Sequence, residues 1–161
     1  YVRQGAISHE DSLGNKGKTQ AGDVQVMSAG SGVRHSEFND EDETTSLYQI
    51  WIKPNKLNVQ PRWDAKEFPK NYVDDHLDLL VGNNEAAPLF IHADATIHAG
   101  KVHANKTLTH RLERSGYLLA SSGSFSVNGV KLSKGDALEI IDIKDLEINS
   151  TEDSELLVID V

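Results

Sequence analysis

Apolar and polar residues alternate over short stretches along most of the chain, and turn residues separate those stretches. Asp23 to Met27, Leu47 to Ile52 and Phe125 to Val130 each place every second side chain on one face, the two-residue period of a half-buried strand. No stretch carries a convincing helical period, so the pattern predicts a mostly β protein. Asn128-Gly129 suits the two positive-φ positions of a type I′ turn and predicts a tight hairpin. Asp11-Ser-Leu-Gly-Asn15 predicts a longer hairpin loop.

Alternation stops between Lys53 and Lys70, where Pro54, Pro61 and Pro69 fall. Proline cannot donate to a ladder, so this stretch predicts a connection rather than a core strand. A short helical turn is expected within 68–77. The chain then reads as a first module over 1–53, a connection over 54–85 and a second module over 86–161. The modules look like copies of one unit. Gly5-Ala-Ile-Ser-His9 leads through a hairpin to Ala21-Gly-Asp23 and an alternating strand, and Gly123-Ser-Phe-Ser-Val127 leads in the same way to Lys134-Gly-Asp136 and Ala137 to Ile141. Duplication predicts two small β-barrels side by side. Leu118, Phe125, Val127, Leu138, Ile140 and Leu157 are expected to fill the second.

The composition narrows the chemistry. With 161 residues, 38% of them hydrophobic, the chain can fill two compact β modules. It has no apolar run long enough to span a bilayer, so a cytoplasmic monomer is expected. A formal net charge of −9 and a pI near 5.1 argue against direct nucleic-acid binding, which rests on Lys and Arg neutralising phosphates. The acidic cluster Asn39-Asp-Glu-Asp-Glu-Thr44 reads as a solvated loop. There is no cysteine, so any metal must use imidazole, carboxylate or water.

One short segment offers such ligands. His35 and Glu37 sit two apart just after the glycine turn Gly30-Ser-Gly32, and on a strand that spacing points both side chains to one face. This is half of a metal site. His92, Asp94, His98 and His103 have no spacing that defines a second one. Trp51, Trp63, Tyr48 and Phe38 are expected in core and inter-module packing.

The stretch from Gly22 to Asn39, with its Ser28-Ala-Gly-Ser-Gly-Val-Arg-His-Ser-Glu37 core, resembles the second metal motif of the cupin superfamily in the form found in pirins. His9-Glu-Asp-Ser-Leu-Gly-Asn15, Leu47 to Ile52, Val127-Asn-Gly129 and Lys134-Gly-Asp136 are similar to further pirin segments, in the same order. The resemblance implies an all-β bicupin. It implies that His35 is an imidazole ligand and Glu37 the carboxylate ligand, with Fe(II) first and Mn, Cu, Ni, Co or Zn also suited to such a donor set. His9 matches a family position that is not a ligand.

A pirin-like first motif, His-x-His, is expected upstream of Tyr1, so the first module reads as truncated at its N-terminus, and two ligands alone are expected to hold metal weakly. The second module is expected to be metal-free, because Thr109, Arg111 and Ile148 stand where its ligands would fall. The activity implied is quercetin 2,3-dioxygenation of a flavonol, with Glu37 as the general base for the 3-hydroxyl proton. The alternative is a metal-dependent regulatory protein, either a transcriptional co-regulator or a modulator of a metabolic enzyme. A remnant with neither activity is a third reading.

Overall fold

In the computed structural model, residues 1–84 and 86–161 are described. Among them the chain forms strands and no helix. The first strands are β1 (Val2–Gln4), β2 (Ala6–Asp11), β3 (Lys16–Gln20), β4 (Val24–Ser28), β5 (His35–Phe38), β6 (Ser46–Leu47) and β7 (Arg62–Lys66). Next come β8 (Asp78–Gly82), β9 (Leu89–Phe90), β10 (Thr96–Val102), β11 (Thr107–Arg111) and β12 (Gly116–Ser122). The last five are β13 (Ser124–Val127), β14 (Val130–Ser133), β15 (Ala137–Ile140), β16 (Asp145–Ser150) and β17 (Ser154–Asp160).

The strands fall into two compact units. One comprises residues 1–69 and 82–94, the other residues 70–81 and 95–161. The stretch 54–85, expected as a plain connection, therefore supplies strands: β7 pairs antiparallel with β4, and β8 with β10. Pro61 and Pro69 lie just outside β7, so neither breaks its ladder. No helical turn forms over 68–77. Val73 N–H donates to the Lys101 carbonyl at 2.7 Å, and Tyr72 makes a parallel bridge to Lys101.

In the first unit, β3, β2 and β5 form one sheet in that order, and β1 pairs with β6. The β2–β3 hairpin turns through Asp11 to Asn15, with Gly14 at φ 88°. The strand expected over Leu47 to Ile52 is confined to β6, because its partner β1 has only three residues, and the pairing runs out at Tyr48 N–H to the Tyr1 carbonyl, 2.8 Å. Trp51, expected in packing, is 88% exposed, and Phe38 is exposed as well.

In the second unit, β15-β12-β17-β10-β8 run side by side, and β11-β16-β13-β14 form the other sheet. A single apolar cluster joins residues of both sheets, among them Phe125, Leu118, Ile148, Leu156 and Val158. Burying each such side chain contributes about 1.5–3 kcal/mol. Of the residues expected there, Leu118, Phe125, Val127 and Ile140 belong to the cluster and Leu138 packs against it. Leu157 is fully buried but outside it, because strand alternation turns it to the face opposite Leu156 and Val158. Asn128 (φ 47°) and Gly129 (φ 85°) make the expected tight turn between Val127 and Val130.

The same alternation corrects where ligand positions fall on β11. Thr109 and Arg111 are exposed, while Leu108 is buried and His110 half-buried between them. The His110 ring meets His98 edge to face, with centroids 4.7 Å apart.

Candidate metal centre

β5 is the edge strand beside β2, and their antiparallel register sets His9 opposite Glu37 and Asp11 opposite His35. Because side chains alternate, the two residues of each strand share one face, and the cross-strand pairing brings all four together. His9, His35 and Glu37 each offer a ligand atom, and these atoms lie within 4.8 Å of one another. No other group of three such side chains occurs among the described residues. His35 and Glu37 thus converge on one face of β5.

His9 is fully buried and tightly held. Its Nε2 lies 3.3 Å from Asp11 Oδ2. Burial pushes the Asp11 carboxyl up, but hydrogen bonds from the Asn15 side chain and backbone, His9 and Leu13 N–H outweigh that and hold it at about 2. With Nε2–H donated to an ionised Asp11, the neutral ring presents its lone pair at Nδ1. Nδ1 has no hydrogen-bond partner and lies 3.6 Å from Glu37 Oε1. A buried lone pair beside a carboxylate and a second imidazole fits a divalent first-row cation.

Sequence reasoning left His9 unassigned and did not single out Asp11 or Gln25. The signal was present: His9-x-Asp11 repeats on β2 the two-residue spacing of His35-x-Glu37 on β5. Trp63, expected in packing, stacks on His9. The remaining histidines are engaged elsewhere: His92 packs edge-on to Phe90, and His103 stacks on Tyr72 beside Asp153. Asp94 accepts from Asn55 and Asn83.

An all-β protein in two units, with an imidazole–carboxylate cluster on the first, has the architecture of the bicupins. Residues 1–52 match the family model described as Pirin, and residues 79–161 the one described as Quercetinase C-terminal cupin domain. A pirin-like protein of Caulobacter vibrioides is 46% identical over 164 residues, covering 99% of this chain and 71% of the relative. The quercetin 2,3-dioxygenase of Escherichia coli strain K12 is 35% identical over 164 residues, covering 100% of this chain and 70% of the enzyme. The crystal structure of the bacterial pirin YhhW from Escherichia coli in complex with nickel(II) superposes with a TM-score of 0.89 at 34% identity, over 100% of this chain and 70% of that one. The chain belongs to the pirin family.

Proposed function

We propose that this pirin is a quercetin 2,3-dioxygenase-type enzyme that holds Fe(II) or another divalent metal through His35 and Glu37 and acts on a flavonol. The observation that carries the reading is the convergence of His35, Glu37 and the unpartnered Nδ1 of His9. The nickel complex of YhhW and the activity named for the Escherichia coli relative support it. His9 is a third donor for the same ion. A bound divalent metal would supply Lewis acidity toward the flavonol oxygens and access to dioxygen.

The chain's own residues then have distinct tasks. Glu37, a carboxylate at a partly exposed position, accepts the proton of the 3-hydroxyl. Asp11 keeps the His9 ring in one tautomer and orientation, and Trp63 closes the ring's other face to water.

Metal analysis after loading with Fe(II) or Ni(II), together with the loss of quercetin absorbance under oxygen, tests the reading. For the protein with the pirin-like His-x-His pair in place upstream, about one metal per chain, lost in His35→Ala and in Glu37→Ala, is expected. A protein with that pair in place that takes up no divalent metal overturns it.

A further inference from the structure

Glu37 sits on an exposed edge strand, where a carboxylate side chain would ordinarily sample several rotamers. Here it is tied down from the neighbouring pair of strands. Gln25, on β4, donates a hydrogen bond from Nε2 to Glu37 Oε1. Its other end is also occupied: Gln25 Oε1 accepts from Trp63 Nε1 at 3.1 Å and from Thr19 Oγ1 at 3.2 Å. An indole N–H can only donate, so the end of the amide facing Trp63 must be the oxygen. The end facing Glu37 is therefore the NH₂ group, and it cannot turn away without setting donor against donor.

The supports of this amide are themselves fixed. Trp63 lies on the flat seat made by Gly17 and is stacked on His9, and Thr19 is buried. The oxygen that Gln25 holds, Oε1, is also the one 3.6 Å from His9 Nδ1, so the amide fixes the carboxylate at the side that faces the other candidate ligands. The short chain from Trp63 and Thr19 through Gln25 to Glu37 links β7, β3, β4 and β5.

We infer that Gln25, oriented by Trp63 and Thr19, is a positioning residue that fixes the Glu37 carboxylate for cation binding. Its value for metal affinity rests on the function proposed above, whereas the fixing of Glu37 does not. Losing a hydrogen-bond partner of a metal-binding carboxylate typically costs 10- to 100-fold in metal affinity. Gln25→Leu removes the donor outright. Trp63→Phe keeps an aromatic ring over His9 but deletes the indole N–H, which frees the amide to rotate.

The experiment has two arms on the same protein. In the first, crystal structures of metal-free wild type, Gln25→Leu and Trp63→Phe are compared at Glu37. One ordered rotamer in the wild type and a displaced or multiple one in both variants are expected; an unchanged carboxylate in both variants overturns the inference. In the second, Ni(II) is titrated calorimetrically and the Co(II) d–d spectrum recorded. Affinity about 10- to 100-fold weaker in Gln25→Leu, a smaller loss in Trp63→Phe and an altered Co(II) spectrum support the positioning role, and unchanged affinity with an unchanged spectrum overturns it. Should the wild type bind neither metal even with the upstream His-x-His pair in place, the proposed function fails, while the first arm still decides whether Gln25 fixes Glu37.

Discussion

The His9 imidazole and the Trp63 indole lie face to face, with ring centroids 4.7 Å apart and planes 6° from parallel. Such stacks contribute about 0.5–1.5 kcal/mol beyond the area they bury. This one depends on a third residue. Gly17 is the cross-strand partner of His9, and a Cβ placed there would stand 2.3 Å from the far edge of the indole. The missing side chain is what lets the indole lie flat across two strands.

Gly17→Val should therefore displace Trp63 and destabilise the protein by about 1–3 kcal/mol, the usual cost of an overpacked site. Combined with Trp63→Leu, most of that loss should disappear, because the clash is with the ring alone. Denaturant unfolding of the two single variants and the double variant measures the coupling; strictly additive losses would show that the two residues do not oppose each other.

Glu37→Ala should separate activity from stability. The side chain is partly exposed on an edge strand, so its removal is expected to lower stability by no more than about 1 kcal/mol. Quercetin turnover should fall by at least about 10² to 10⁴, the contribution of a general base alone, because the same substitution also removes a metal ligand. Equal turnover in the variant would remove Glu37 from the chemistry.

The second unit should lose stability in mild acid. Burial and, to a lesser extent, the neighbouring His110 lower the pKa of His98 to about 4 against the opposing pull of Asp160; burial lowers His110 as well. Arg114 pairs with Asp160 at the same place, Nε to Oδ1 3.4 Å. Between about pH 6.5, where the unfolded imidazole titrates, and about pH 4, the unfolded chain binds the proton and the folded one does not. Stability thus falls as pH drops through this window and levels off below it. Because the ring is partly exposed, the loss from His98 is about 1 kcal/mol. His98→Gln should flatten the acid limb of a plot of Tm against pH; an identical slope would exclude His98 as its source.

Phe125→Ala should cost about 3–5 kcal/mol, because the ring is 2% exposed at the heart of the apolar cluster. Val130→Ala, at a half-exposed position one turn away in the same hairpin, should cost well under half of that. Chemical denaturation compares the two directly. A similar loss at both positions would mean that the cluster does not carry the stability of this unit.

What could be read from the residues follows from how local the cause is. The hairpins at Asn128-Gly129 and Asp11 to Asn15 need only their own few residues, and both form as expected. The convergence of His35 and Glu37 needs only the strand period, and it is there. β7 was hidden because Arg62-Trp-Asp-Ala-Lys66 is short, polar and bracketed by prolines, so its strand character comes from pairing with β4. The approach of His9 to His35 and Glu37 depends on the β2–β5 register, a non-local fact that spacing along the chain does not carry. Leu47 to Ile52 failed in the opposite sense: its alternation is real, but beyond Leu47 no ladder partner extends it.

The position of β17 bears on how the protein is made. Residues 154–160 follow both β10 and β12 in the chain, yet they lie between them, with ladder contacts on both sides. Until they leave the ribosome, the edges of β10 and β12 that they will join stand open, and the apolar cluster lacks Leu156 and Val158. Closure of the second unit is therefore expected to wait for β17 and to be slow, as for other folds dominated by distant strand pairs. A nascent chain stalled before residue 154 would offer two unpaired edges to its neighbours on the same message.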